Sequence, residues 1–127
     1  MLYLGCHLSA SGGYAAMCRT ARSIGANTFQ FFTRNPRGGA AKAIDPADAQ
    51  TLVHAQETGE LGQVVAHAPY TVNPCSAEEK TREFAVQTLA DDLRRLRRGT
   101  TTISIRAAMS DRAWRPGSHG SPPRSTR

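Results

Sequence analysis

One stretch decides the fold, residues 2–33: LYLGCHLSASGGYAAMCRTARSIGANTFQFFT. It opens with a short apolar run, Leu2 to Leu8, and passes through small residues into Tyr14 to Ile24, where apolar side chains recur at helical spacing. Gly25 ends that segment. Thr28 to Thr33 follows, rich in β-branched and aromatic residues, which is typical of a strand. The stretch therefore predicts a strand, a helix and a second strand.

The same alternation continues after the polar, glycine-rich loop from Arg34 to Ala43. Asp45 is a suitable N-cap for a second helix, and Pro46 suits its first position. Asp48 favours the positive end of the same helix dipole, and Gly59 closes the segment. These signals predict a second helix between residues 45 and 59.

A third strand is predicted at Gln63 to Ala68. After a loop, Ser76 and Glu79 form a capping box that begins a long helix, and this helix reaches Leu96. Its apolar positions are Phe84, Val86, Leu89, Leu93 and Leu96. Three βα units in series predict an α/β fold with parallel strands. Periodicity alone fits a closed barrel and an open sheet equally well.

The net charge of +6 on 127 residues is unevenly placed. Up to Leu96 the chain holds nine Lys and Arg against nine Asp and Glu, whereas residues 97–127 hold seven Arg against one acid, Asp111. A small basic nucleic-acid-binding module would need its charge on the folded body, so the neutral body opposes that reading. Any DNA contact there must come from individually placed residues.

Cysteine usage and hydropathy narrow the class of protein further. Cys6, Cys18 and Cys75 are odd in number and show no CxxC spacing, which indicates buried or inert thiols and neither a disulfide framework nor a cysteine zinc knuckle. No apolar run approaches the roughly 20 residues of a membrane-spanning helix, and no signal peptide is evident. We therefore expect a cytoplasmic protein without a membrane partner.

Candidate functional residues gather at the ends of the predicted strands. In parallel α/β folds the carboxyl ends of the strands share one rim, where sites are built. His7 ends the first strand, the Arg34 to Gly39 loop follows the second, and His67 ends the third. The sequence therefore predicts that these groups converge.

Three motifs stand in register along the body: Gly5-Cys6-His7-Leu8-Ser9 with Gly12-Gly13, Phe31-Phe32-Thr33-Arg34-Asn35-Pro36-Arg37, and Ala66-His67-Ala68-Pro69-Tyr70-Thr71-Val72-Asn73. Together they resemble the start of endonuclease IV-type apurinic/apyrimidinic endonucleases. The resemblance implies the first three βα units of a TIM (β/α)8 barrel about twice this long. It also implies three zinc ions, which hydrolyse the phosphodiester 5′ to an abasic site.

The resemblance assigns roles residue by residue. His67 stands at the place of a zinc ligand, and His7 matches a histidine near the metal cluster. Arg37 and Tyr70 match residues placed against or into the DNA minor groove at the lesion, where an arginine follows phosphates and an aromatic wedge supports the gap.

Arg34 and Asn35 belong to the same DNA-binding loop. Thr71 departs from the family, since some members carry a bulky apolar side chain there. The implied partner is double-stranded DNA with abasic sites, and the intact protein is expected to be a monomer. A sugar isomerase or epimerase of similar barrel architecture is the alternative, and the Arg34 to Arg37 and Tyr70 motifs oppose it.

The segment after Leu96 is unlike the family. Residues 97–127 predict a disordered basic tail, whereas the family continues close to Pro-Gly-x-Tyr-Tyr-Asn-Phe-His-Pro-Gly-Ser-His-Val-Gly-Gln-Gly. Suppose the tail is read in a shifted frame, in which each codon takes the last base of one residue's codon and the first two of the next. The codons possible in that frame can then encode the family segment as far as Ala113. Ser104 followed by Ile105, for example, permits CAT for His.

We therefore expect a frameshift near Leu96, with residues 97–127 out of frame. On this hypothesis the chain is a truncated, inactive fragment of the nuclease. Of the implied metal ligands it retains His67, so we do not expect it to bind zinc stably, because a catalytic zinc usually takes three protein ligands.

Overall fold

The structure, a computed structural model, describes residues 1–37 and 39–96 and the backbone of residues 102–104. Strands and helices alternate as the sequence predicts: β1 Gly5–His7, α1 Gly13–Ser23, β2 Thr28–Phe32, α2 Pro46–Glu57, β3 Val65–His67, α3 Glu79–Leu96 and β4 Thr102–Ser104. The observed β1 and β3 start later than predicted, and β1, β2 and β3 each end one residue earlier, because they keep only the residues that pair. No helix within the described ranges is long and apolar enough to cross a membrane.

The four strands form one parallel sheet in chain order, β1-β2-β3-β4. Its register brings His7 beside Gln30 and Phe32 beside His67. Because neighbouring residues in register project to the same face of a sheet, these four side chains share one face. The predicted convergence of the two histidines thus follows from the strand pairing.

The fourth strand lies where the sequence predicts an irregular tail. Thr102–Ser104 pairs with β3, whose outer edge would otherwise be open, and Thr102 and Ile103 are β-branched residues that suit a strand. The prediction of irregular structure from residue 97 onward is therefore wrong at these three positions. Residues 97–101 and 105–127, the remainder of the predicted tail, lie outside the described residues.

The apolar core lies between the helices and one face of the sheet. Alternate residues of β2 are buried, and Phe29 and Phe31 each expose only 2% of their surface. The residues packed with them come from the helices, from β3 and from the segments next to β1 and β3: Leu8, Tyr14, Met17, Cys18, Ala21, Leu52, Ala55, Leu61, Val64, Ala66 and Leu96. The other face of the sheet, with Gln30, Phe32 and the two histidines, is thereby free to build a site.

The N-terminus of α1 is capped by a residue of another helix. Gly12, the N-cap, has no side chain, and the Asp48 carboxylate of α2 accepts the backbone N–H groups of Tyr14 at 2.6 Å and Ala15 at 2.8 Å. Gly13 has φ 82°, and a Cβ there would collide with this carboxylate. Asp48 thus ties α1 to α2, a contact the sequence does not indicate.

The predicted helix caps are correct for α2 and wrong for α3. Asp45 accepts the N–H of Ala47 at 2.9 Å, with Pro46 at the first helical position. At α3 the Ser76 hydroxyl accepts the N–H of Glu78 at 3.2 Å, while the N–H of Ser76 donates to the Asn73 carbonyl. The reciprocal capping box with Glu79 is therefore replaced by a local turn.

Helix α3 buries only part of the face that its apolar spacing indicates, since Leu96 is buried and Leu89 packs against buried residues while other apolar positions are exposed. Its buried residues are Ala85, Thr88, Asp92 and Leu96. Phe84, Val86 and Leu93 instead expose between 43% and 61% of their surface. The physical reason is Asp92, whose carboxylate is bonded to Thr33 and Arg34 of the loop after β2 and so turns that side of the helix toward the sheet.

Candidate functional site

Four rings form a cluster at the carboxyl ends of β1, β2 and β3. Phe32 lies at its centre, with ring centroids 4.5 Å from His7, 5.0 Å from His67 and 5.1 Å from Tyr70. The two histidine rings are 6.5 Å apart, and the His67 and Tyr70 rings 6.0 Å. The structure therefore brings together three of the predicted site residues and adds Phe32, which sequence analysis quoted only as part of a motif.

The proton position on His67 follows from its hydrogen bond. Its Nδ1 lies 2.6 Å from the Ala68 carbonyl oxygen. A carbonyl only accepts, so Nδ1 must carry the proton, and in the neutral ring Nε2 then keeps its lone pair. Metal-ligating histidines are oriented in this way by a backbone carbonyl. His67, 9% exposed, thus has the chemistry of a metal ligand.

His7 is arranged differently. Its Nδ1 lies 3.3 Å from the Gln30 amide nitrogen, a donor, so the Nδ1 lone pair is used as an acceptor and the neutral ring carries its proton on Nε2. Partial burial, and secondarily the charge of His67, lower the pKa of His7 from its ordinary value of 6.5. The neutral His7 ring can therefore donate a hydrogen bond from Nε2.

The two loops beside the ring cluster are joined by their backbones. The Tyr70 N–H donates to the Pro36 carbonyl at 2.9 Å, which links the loop after β3 to the loop after β2. The Asn35 side-chain oxygen accepts the N–H of Arg37 at 3.0 Å and so holds the turn between them. Arg37 is exposed, and Tyr70 exposes 66% of its surface. Both predicted DNA contacts are thus presented to solvent from one connected surface.

Arg34, also predicted to contact DNA, is used differently. Its side chain is only 9% exposed, and its guanidinium is paired with Asp91 and Asp92 of α3. Burial opposes the charge, but hydrogen bonds to Asp92 and Asp91 outweigh it and raise the pKa of Arg34 above its ordinary value. The Nε and Nη2 donors of Arg34 are thus used within the protein, and its predicted contact with DNA stays a prediction.

Sequence reasoning missed Asp92 as well. Its spacing from the apolar positions of α3 gives no sign that it is buried, and a lone acid on a helix is ordinarily solvated. The signal that would have found it is the basic residue Arg34 in a rim loop, which needs an acidic partner once it is buried.

The described residues do not make a complete metal site. Within residues 1–37 and 39–96, no group of three or more His, Cys, Asp or Glu side chains is placed to hold an ion. His67 offers one suitable nitrogen, and its neighbours in the ring cluster are His7, Phe32 and Tyr70.

The comparison of the sequence with protein families bears on this arrangement. The family described as "Xylose isomerase-like TIM barrel" matches residues 18–123, more than half of the chain. The chain belongs to this family. Its parallel strands with alternating helices are accordingly the first units of a TIM barrel, as the resemblance implies.

Individual members of the family are similar over the same body. The chain is 59% identical over 96 residues to the probable endonuclease 4 of Alkaliphilus oremlandii and 57% identical over 93 residues to that of Akkermansia muciniphila. These matches cover 76% and 73% of this chain and 34% of each relative. The chain therefore spans about a third of the length of the curated relatives it matches.

A solved structure gives the same result. The crystal structure of endonuclease IV from Thermus thermophilus superposes with a TM-score of 0.72 at 32% identity, covering 82% of this chain and 39% of that chain. The resemblance to endonuclease IV-type proteins is thereby confirmed for the body of the chain. The boundary after Leu96 stays a prediction, and the family match itself extends to residue 123.

Proposed function

We propose that this chain is the N-terminal part of a DNA-repair endonuclease that, when complete, hydrolyses the phosphodiester 5′ to abasic sites in double-stranded DNA. The observation that carries the proposal is the rim itself. A histidine with a free Nε2 lies beside an exposed tyrosine and near an exposed arginine, on loops tied to each other by the Tyr70 to Pro36 hydrogen bond. The relatives named endonuclease 4 support the reaction class.

Arg37 and Tyr70 are the residues we propose for recognition of the lesion. An exposed guanidinium can follow phosphates, and an exposed aromatic ring can fill the gap left by an extruded abasic nucleotide. The Tyr70 ring packs edge-to-face against the Phe32 ring, with ring centroids 5.1 Å apart and an interplanar angle of 76°. That contact would keep the ring from folding back when it meets the DNA.

The proposed metal is zinc, with His67 as one ligand. Its lone pair on Nε2 suits zinc, but one nitrogen holds no zinc ion tightly. We therefore propose that the remaining His, Asp and Glu ligands belong to the two thirds of the relatives that this chain does not span. The 127-residue chain would then bind zinc neither tightly nor stoichiometrically.

The frameshift near Leu96 is part of the same proposal. Residues 97–127 would be out-of-frame translation, so that the body ends where the family continues with further barrel units. On this proposal the short chain is inactive because it lacks ligands, while the recognition residues it does contain are intact.

Sequencing the genomic DNA around codon 96, restoring the frame and assaying the product tests the proposal. We expect the restored chain to incise duplex DNA 5′ to an abasic site, to lose that activity on chelation and to regain it with zinc. The 127-residue chain, assayed in parallel, should show no incision and no stoichiometric zinc by calorimetry. Equal activity in both chains would overturn the frameshift and the missing-ligand proposal together.

A further inference from the structure

A buried ion cluster connects the loop after β2 to helix α3. Asp92 exposes 1% of its side chain and Arg34 9%. The Nε of Arg34 donates to Asp92 at 3.1 Å and its Nη2 donates to Asp91 at 2.6 Å, while the Thr33 hydroxyl donates to Asp92 at 2.6 Å. Arg95 adds a further contact, 3.5 Å from the Asp92 carboxylate.

The cluster stands directly before the residues proposed to meet DNA. Arg34 lies three positions ahead of Arg37, and Pro36 between them accepts the N–H of Tyr70. A displacement at Arg34 would therefore pass along the loop to Arg37 and, through the Pro36 carbonyl, to Tyr70. Because a buried charge without a partner is strongly unfavourable, the Arg34 pair fixes the start of this loop in one place.

We propose that Arg34 and Asp92 are positioning residues that hold Arg37 and Tyr70 in the arrangement needed to bind the lesion. This rests on the proposed function for its DNA readout and on geometry alone for its structural readout. Neither Arg34 nor Asp92 touches DNA in this proposal. Their effect passes through the loop that carries Arg37 and through its hydrogen bond to Tyr70.

The alternative is that Arg34 leaves its partners and binds a phosphate. The two ideas predict opposite signs for the removal of Asp92. If Arg34 were a phosphate contact, Asp92→Ala would remove one of its two carboxylate partners and a nearby negative charge, so DNA binding would tighten. If the pair positions the loop, the same substitution loosens the loop and binding weakens.

The test uses the frame-restored, full-length enzyme with Asp92→Ala, Arg34→Met and the double variant. Because Arg37 and Tyr70 are proposed to act in recognition, a loosened loop should weaken binding, and we expect about a tenfold rise in KM for abasic duplex, with kcat nearly unchanged. The double variant should be no worse than the poorer single variant, because the two residues act as one unit. Asp92→Asn, which keeps the shape and an acceptor, should recover part of the loss.

Arg22→Met is the matched control. Arg22 also pairs with a carboxylate through two nitrogens, to Glu60, but it is about half exposed and lies at the end of α1, away from the loop. The Arg22→Met variant should leave KM for abasic duplex unchanged. Tighter binding by Asp92→Ala, or additive effects of the two single variants, would overturn the proposal.

A second readout separates this proposal from the proposed function. Hydrogen exchange at the Tyr70 amide and tryptic cleavage after Arg37 report on the loop without DNA. Both should accelerate in Asp92→Ala, in Asp92→Asn less, and not in Arg22→Met. If the restored enzyme does not incise abasic DNA, the proposed function fails, but the exchange and cleavage rates still test the positioning role. If Asp92→Ala and Asp92→Asn leave both rates unchanged, the positioning role is overturned.

Discussion

Two sets of polar groups share one rim of this sheet and differ in how their bonding capacity is used. The closed set has its main partners within the chain, and it consists of Arg34, Asp92 and Asp48. The open set consists of His67, whose Nε2 keeps its lone pair, and of the exposed residues Arg37 and Tyr70. The comparison teaches that residue type and position at a strand end do not by themselves distinguish function from architecture.

Arg34 and Arg37 make the difference concrete. They are three residues apart in one loop, and sequence analysis assigned both the same role. One is buried against two aspartates and the other is exposed. Substitutions in the open set should therefore change chemistry or recognition, whereas substitutions in the closed set should act first on stability or loop position.

The largest effect is expected from His67→Ala in the frame-restored enzyme. Changes to residues that merely support a metal ligand cost up to about 100-fold, so loss of the ligand itself should lower kcat by roughly 100-fold or more. Steady-state kinetics with zinc analysis of the purified protein would measure both losses. His54→Ala, at an exposed histidine of α2, is the control and should leave kcat and zinc content unchanged.

Asp48→Ala should act on stability. Its carboxylate caps two N–H groups of α1 in a partly buried position, so its loss should lower the free energy of unfolding by about 2 kcal/mol. Asp45→Ala removes an exposed cap with one such bond and should cost about 1 kcal/mol. Urea unfolding of the restored enzyme compares them, and a larger loss for Asp45→Ala would contradict the role assigned to Asp48.

Arg37→Ala and Tyr70→Ala should each raise KM for abasic duplex by about tenfold, since loop contacts to DNA act on recognition and leave the metal ligands in place. The two differ in their response to salt. The Arg37 effect should shrink as ionic strength rises, because phosphate contacts are screened, while the Tyr70 effect should persist. Arg19→Ala, at an exposed arginine of α1, is the control for a general loss of charge. Identical salt profiles for the Arg37 and Tyr70 variants would argue against this division.

The last prediction concerns the thiols of the 127-residue chain. Cys18 is fully buried, and burial is the main cause that raises its pKa, whereas Cys6 and Cys75 are exposed. If the closed set holds residues 1–96 together, Cys18 should react with a thiol reagent about tenfold more slowly than Cys6 and Cys75. The protection is modest because a marginally stable fold opens often. Urea should abolish the difference. Equal rates for all three thiols in buffer would mean that the fragment does not fold.

Local sequence signals were sufficient for the order of the elements and for the convergence at the rim. The alternation of apolar runs predicts β1 to α3, and the parallel register then brings His7 and His67 to one face. The resemblance narrowed the architecture to a barrel, which periodicity left open.

What sequence analysis could not predict are contacts between distant side chains. The two hydrogen bonds of the Asp48 cap span sequence separations of 34 and 33 positions. The hydrogen bonds of Arg34 to Asp92 and Asp91 span 58 and 57 positions. Asp48 follows the rule for the first turn of its own helix, yet its carboxylate is bonded to another helix. The orientation of α3 was missed for the same reason, since a buried ion pair outweighs apolar spacing there.

The cap of α1 by Asp48 also bears on the order in which the chain folds. During synthesis, residues 13–23 emerge well before residue 48, so the first helix must wait for the second before its leading N–H groups find their acceptor. An isolated helix of 11 residues is marginal in water, and this one has a glycine where a capping side chain would stand. The first two helices should therefore become stable together, as one cooperative step, and Gly13 should resist substitution even where Asp48 is changed, because its positive φ disfavours other residues.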